Sequence, residues 1–309
     1  MMGYQPGRTA ATAVILLHTL LTHGFLFLYS GVYSDGWLFY TYLSEGRLDL
    51  LHNFFLKQGH PQTAYLYVLF SWTPHFLLLH RLVAFASLAT VGLLTYAISR
   101  ELDLLSPVES LLAALFVVGF PAYQYAIEIS HLWNLLPYPI FLAGWLLALR
   151  GANLSRPRPG YERPLALLCF VVSFMNPALL VFHFGLLPLW LWQLYRARGR
   201  AFWRSASRYP DVWLTPFLYG IVNELLLPPR GIFTDYNRPR LSNMLDPAIW
   251  QEFVASGVWG QIERMVTLLP LTAVIFLAAI YLVANRRWRW DEQTLFRTRP
   301  PVAVLWGYC

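Results

Sequence analysis

Apolar residues in this chain recur in long uninterrupted blocks rather than at the two-residue period of a strand or on one helical stripe. Blocks at about 11–30, 82–99, 107–121, 132–149, 178–195, 211–228 and 266–284 carry almost no charge. Crossing a hydrocarbon core of ~30 Å takes about 20 apolar residues in a helix. An eighth block, 164–175, is short, and Asn176-Pro177 separates it from 178–195. Proline removes a helical donor and ends or kinks the helix, so 164–195 reads as a hairpin of two helices. The pattern predicts an all-α, multi-pass membrane domain of about eight transmembrane helices over residues 1–299. The last residues, 300–309 (PPVAVLWGYC), read as the start of a further, incomplete apolar segment.

Two stretches depart from this pattern. Residues 47–58 (RLDLLHNFFLKQ) place Leu48, Leu51 and Phe55 on one side with Leu50 and Phe54 beside them. That is an amphipathic helix, suited equally to a membrane surface or to packing on the bundle. The apolar stretch 62–80 is interrupted by Ser71-Trp72-Thr73-Pro74-His75 and fits as an interfacial helix rather than a crossing. The first loop is therefore expected to be long and structured.

Charge fixes the expected orientation. The balance is 23 Lys and Arg against 16 Asp and Glu, a net +7. Arg150, Arg156, Arg158 and Arg163 precede the hairpin, and Arg196, Arg198, Arg200, Arg204 and Arg208 follow it. Basic loops stay cytoplasmic, so the hairpin crosses an even number of times. Arg286, Arg287 and Arg289 put the end of the last span on the same side. This assignment leaves loops of about 31–81, 122–131 and 229–265 on the outer side and 16 of the 23 basic residues inside. Topology thus explains the basic balance better than a nucleic-acid partner does.

Composition agrees: 57% of residues are hydrophobic and only 13% charged, against about 25% in soluble domains. An ordinary soluble enzyme and a disordered chain are both excluded. Cys169 and Cys309 form neither a disulfide framework nor a metal-ligand spacing. Arg8 precedes the first apolar run without a convincing cleavage site, so that run reads as a helix rather than a removed signal. A nucleotide-binding glycine loop, a zinc-protease helix and a serine elbow are all missing from the sequence.

So few outer charges remain that each becomes a candidate. Asp35, in Gly31-Val32-Tyr33-Ser34-Asp35-Gly36-Trp37, follows the first span directly. An ionisable group at that depth marks a site, although Asp also caps a helix starting at Gly36. Glu128 lies between the third and fourth spans with His131 three residues on, on the same face of a helix. Such a pair orients an acceptor, holds a divalent metal, or makes a structural hydrogen bond. Lys57, His60, Arg81, Arg230, Arg238 and Arg240 are the outer cationic set. Guanidinium groups grip phosphate through forked, charge-assisted bonds, and interfacial snorkelling is the alternative for each alone. His18, His23 and His183 sit on apolar spans as either packed or functional residues, and Glu224 lies near an outer span end.

The order of these features resembles the GT-C superfamily, membrane glycosyltransferases that use polyprenyl-phosphate sugars, of the protein-mannosyltransferase and aminoarabinose-transferase kind. The resemblance rests on several features in order. They are Ser34-Asp35-Gly36-Trp37 after one span, His60-Pro61-Gln62-Thr63-Ala64-Tyr65-Leu66-Tyr67, Arg81-Leu82-Val83-Ala84-Phe85-Ala86, Tyr96 to Arg100, and Pro121 with Glu128. It covers roughly residues 10–200. The lone Asp is followed by Gly where many relatives carry Asp-Glu. The resemblance implies inverting transfer of a lipid-linked sugar to an acceptor hydroxyl on the non-cytoplasmic face of a bacterial cell membrane. Asp35 would act as base, Glu128 and His131 would orient the acceptor or a metal, and the outer cations would hold the donor phosphate and membrane lipid. A non-catalytic polytopic protein, whether a transporter, an assembly subunit or an inactive transferase scaffold, is the competing expectation. A transporter would gather its polar groups near the bilayer midplane, around Asn176.

Overall fold

In a computed structural model, the described residues are 8–28, 31–32, 36–103, 105–120, 126, 128–152, 161–176, 178–199, 202–207, 209–234, 247–252, 263 and 274. They are mostly helical, without a strand. The helices used below are α1 (Arg8–His23), α2 (Gly36–Ser44), α3 (Leu48–Gln58), α4 (Pro61–Ser71), α5 (Phe76–Leu102) and α6 (Pro107–Val118). They continue with α7 (Leu132–Leu135), α8 (Pro137–Ala152), α9 (Glu162–Ser173), α10 (Ala178–Arg198), α11 (Phe202–Ala206) and α12 (Pro210–Leu226).

Among the described residues, four stretches are long and apolar enough to cross a bilayer: Arg8–Phe27, Phe76–Leu102, Ile129–Gly151 and Ala178–Arg196. Helices α6 and α9 have 12 residues each, a rise of about 18 Å. The expected span 82–99 is in fact part of the 27-residue α5. The expected break at Ser71–His75 ends α4 and precedes Phe76, so residues 76–80 belong to the long helix. Arg81 is consequently inside α5, not ahead of it. The expected last span, 266–284, and residues 300–309 lie outside the described residues.

Close helix packing depends on small residues. A side chain at Gly92 of α5 would meet Val118 at 2.5 Å and Ile15 at 2.9 Å, so this glycine lets α1, α5 and α6 approach. At Gly144 of α8 a Cβ would meet the Phe170 ring at 2.9 Å. That ring joins Phe141, Trp145, Phe174 and Trp190 in the main core, built by α8, α9 and α10. A second core lies in the first loop. Phe39, Leu51, Phe55, Ala64, Tyr67 and Phe70 from α2, α3 and α4 pack on Phe76, Ile129 and Leu132. Leu51 and Phe55, the apolar side of the amphipathic 47–58 segment, are buried in that core. Of the two sequence readings of α3, packing on the bundle is therefore the one observed.

Three histidines within the apolar spans bond backbone carbonyls of neighbouring helices. His18 and His23 of α1 direct Nε2 at the carbonyls of Leu115 (3.0 Å) and Val118 (2.7 Å) on α6. His183 of α10 directs Nε2 at the Val212 carbonyl, 2.7 Å away on α12. Pro216 lies inside α12, four residues after Val212. It has no N–H to give, so the helix leaves the Val212 carbonyl without its usual donor. His183 supplies that donor from a neighbouring helix, as backbone in lipid requires. The carbonyl acceptor fixes the proton on Nε2, and Trp145 and Phe170 pack against the ring at 4.6 and 4.7 Å. All three histidines are thus bonded, packed residues.

Charges collect at one end of the bundle. Arg150 faces Glu101 at 3.9 Å, and Arg196 faces Asp103 at 3.6 Å while donating to the Leu102 carbonyl. Arg163 grips Asp211 with both Nε and Nη2 and lies over the Tyr209 ring. These pairs tie α5 to α8 and α10, and α9 to α12. Their arginines come from the loops assigned to the cytoplasm by charge.

Replacing His183 by Phe is expected to lower stability by about 1–3 kcal/mol, because a buried carbonyl loses its donor. Adding Pro216→Ala restores an N–H four residues on and is expected to recover most of that loss. Thermal unfolding in detergent of both single variants and the double variant measures the coupling.

Candidate functional site

At the opposite end of the bundle, the first loop, the segment before α7 and the chain after α12 come together. Glu128 organises the junction. It is 6% exposed and precedes a single 3-10 turn, Ile129–His131. Its Oε1 accepts the backbone N–H of Gly36 at 3.0 Å and the Ser130 hydroxyl at 2.8 Å. Gly36 begins α2, where the first amides of a helix have no partner within it, so a carboxyl from 92 residues away acts as the cap. A side chain at Gly36 would meet Glu128 and Ile129 at 3.4 and 3.3 Å. The glycine therefore allows the close approach.

His131 completes the cluster. Its Nδ1 is 3.6 Å from Glu128 Oε2 and 3.1 Å from Ser130 Oγ. The Ser130 proton goes to Glu128, which leaves its oxygen to accept from Nδ1–H. The pairing of Glu128 with His131 expected from their spacing is present, through a 3-10 turn rather than an α-helix. Tyr67 of α4 braces the turn from below, its hydroxyl donating to the Ile129 carbonyl at 2.9 Å and the Ser130 carbonyl at 3.2 Å. Burial raises the Tyr67 phenol well above its ordinary value, so it stays protonated as the donor. Among the described residues, no group of three or more His, Cys, Asp or Glu is placed to hold a metal.

The cationic set divides. Arg81 is buried, and its Nη2 donates to the Gly31 carbonyl at 3.2 Å, at the beginning of the first loop. His60 stacks on Trp133, with ring centroids 6.0 Å apart. Burial lowers its pKa, so at neutral pH the imidazole is a neutral hydrogen-bonding group rather than a cation. Lys57 and Arg230 are exposed and joined through their backbones, the Arg230 N–H donating to the Lys57 carbonyl at 2.7 Å. Asp35, Arg238 and Arg240 lie outside the described residues. Of Glu224, only its place in α12 is described.

Gly59 makes the third junction. It closes α3 in the left-handed conformation at φ 84°, where glycine is favoured. A Cβ there would meet the Leu227 carbonyl at 2.5 Å. Gly59, Tyr67, Ser130, Thr63 and His80 are not among the residues predicted to act in the site, although Thr63 and Tyr67 lie in the His60–Tyr67 stretch that carries the resemblance. A glycine just after an amphipathic helix is a C-cap signal, and it was the readable one. The hydroxyl contacts of Tyr67 reach residues more than 60 positions away and leave no local trace, whereas Ser130 bonds its near neighbours Glu128 and His131.

The midplane candidate has a structural explanation. Asn176 is 4% exposed, its Oδ1 accepts the Ala178 N–H that opens α10, and its Nδ2 donates to the Asn134 carbonyl at 3.3 Å.

No protein-family model, curated protein or solved structure matches this chain.

Glu128→Ala is expected to destabilise the outer end by about 1–3 kcal/mol, because the Gly36 amide and Ser130 hydroxyl lose their acceptor. Glu128→Gln keeps an acceptor oxygen and is expected to unfold close to wild type. Gly59→Ala is expected to cost at least as much as Glu128→Ala, through both strain and collision with Leu227. Melting curves of the three purified variants in one detergent compare them.

Proposed function

We propose that this chain is a GT-C-like membrane glycosyltransferase. It moves a sugar from a polyprenyl-phosphate donor to an acceptor hydroxyl at the non-cytoplasmic face of a bacterial cell membrane. In this reading α6, α9, α12 and residues 266–284 join the four long spans to make about eight crossings. The exposed Phe217, Leu218, Ile221, Val222 and Leu225 of α12 suit lipid contact. Tyr65, Leu69 and Trp72 expose one face of α4 and its end, with the aromatic character of an outer interface.

The observation that carries the reading is the bond from Glu128 to the amide of Gly36, the residue directly after Asp35 in the chain. It joins the two acidic outer segments on which the resemblance rests. Arg81 bonds the start of the same loop, adding a cation to that end. A sugar hydroxyl is a weak nucleophile and needs a base within hydrogen-bond reach. Asp35 takes the acceptor proton as the acceptor oxygen bonds to the anomeric carbon. The bond from that carbon to phosphate breaks from the opposite face, and polyprenyl phosphate leaves with the electron pair. The product is inverted. Arg81, with Lys57, Arg230, Arg238 and Arg240 of the outer loops, offsets the charge on the departing phosphate. Glu128 and His131 orient the acceptor or hold a divalent ion. Transport is less well supported, since both ends of the Asn176 side chain are already bonded within the bundle.

Asp35→Asn, expressed in membranes supplied with a panel of polyprenyl-phosphate sugars, is expected to lose transfer by about 10²–10⁴-fold. Transfer at the wild-type rate by Asp35→Asn would refute the proposal, as would a wild-type chain inert towards every donor.

A further inference from the structure

At the arginine-rich end of the bundle, residues of α10, α11 and the start of α12 enclose a groove of about 340 Å³. Cavities that hold small ligands measure about 300–1,000 Å³ and are mostly apolar. Trp190 and Ala206 are buried at its base, and Trp203 and Trp213, both exposed, line it nearer the surface. Leu187 and Leu191 of α10 complete the apolar lining. The one hydroxyl there, on Ser207, is already spent on the Arg204 carbonyl at 3.0 Å. The groove therefore rewards burial of hydrocarbon rather than hydrogen bonding.

It continues onto the exposed apolar side of the helices. Leu187 and Leu191 lie one and two turns after Phe184 on α10, and Trp213 lies one turn before Phe217 on α12. The Phe184 and Phe217 rings meet at 4.9 Å, and both are exposed. A seam of apolar side chains thus runs from the groove along α10 and α12 toward the middle of the spans. An acyl chain follows the same course in a bilayer.

Charge at the mouth selects the head group. From 196 to 210 the chain carries Arg196, Arg198, Arg200, Arg204 and Arg208 and no acidic residue. Arg204 follows Trp203 on α11, the next position round the helix from the side shared by Trp203 and Ala206. It is exposed, and no carboxylate among the described residues pairs with it. Arg150, Arg163 and Arg196 differ, each facing an acid within the bundle. Arg204 is thus open to an external anion. The basic count assigns this loop to the cytoplasm, where basic residues at the membrane surface attract anionic lipids. Tryptophans favour the depth at which head group and acyl chain meet, and Trp203 and Trp213 flank the groove there.

We infer that the groove between α10, α11 and α12 holds an anionic phospholipid of the cytoplasmic leaflet. One acyl chain lies along Trp190, Trp203 and Trp213, and the phosphate lies beside Arg204. The site is at the opposite end of the bundle from Glu128 and does not depend on the transferase reading.

The test uses the full chain in phosphatidylcholine nanodiscs, with Trp fluorescence quenched by lipids brominated on their acyl chains. Brominated phosphatidylglycerol is expected to quench at low mole fraction and to saturate. Brominated phosphatidylcholine is expected to quench only in proportion to its amount. Arg204→Gln is expected to raise the phosphatidylglycerol midpoint about fivefold and to melt with the wild type, because its side chain is exposed and its charge unpaired among the described residues. Ser207→Phe fills the groove from an exposed position and is expected to abolish the saturating phase. Arg47→Gln removes the same charge from an exposed position in the first loop and is expected to leave the midpoint unchanged, which separates a local contact from net charge. Equal quenching by the two lipids overturns the proposal. So does a midpoint that either Arg204→Gln or Ser207→Phe leaves unchanged, or one that Arg47→Gln raises as much as Arg204→Gln. A saturating phase with neither lipid also overturns it, the groove then being covered by protein.

Discussion

A carboxyl group buried where helices emerge from a membrane is costly unless several donors meet it. Glu128 meets that requirement with the Gly36 amide and the Ser130 hydroxyl, and it thereby joins two segments 92 residues apart. The rest of the outer end follows from this joint. With Gly36 held, α2 starts against the 129–132 segment, and Phe39 enters the core shared with Phe55 and Tyr67. That core orients α4, so that Tyr67 reaches back to the backbone beside Glu128. The interactions close a loop: carboxyl, α2, α4, and the turn bearing the carboxyl.

The bilayer explains the remainder. Within the spans, His18, His23 and His183 find partners on neighbouring helices, His183 at the carbonyl left open by Pro216. Arg150, Arg196 and Arg163 at the far end pair with Glu101, Asp103 and Asp211.

Much of the helical layout was legible because apolar run length and proline position are local signals. Asn176-Pro177 was read as a break, and α9 and α10 lie on either side of it. Helix α5 begins earlier than its apolar run implied, because Phe76–Leu79 continue the helix ahead of buried His80 and Arg81. The spacing of Glu128 and His131 correctly brought them together, but their geometry depends on Ser130 between them and on Gly36 far away. The role of Gly59 lies in the approach of Leu227, and that of Tyr67 in a tertiary bond. Neither is encoded within a window of the sequence. For His60, the stacking on Trp133 is likewise a tertiary contact that no window of the sequence displays.

Hydrogen–deuterium exchange at the Gly36 amide, in the full chain and its Glu128→Ala variant in nanodiscs, tests the central joint. The account predicts slow exchange in the wild type and a large acceleration in the variant, with peptides of α5 and α8 unchanged. Equal exchange in the two proteins would contradict it.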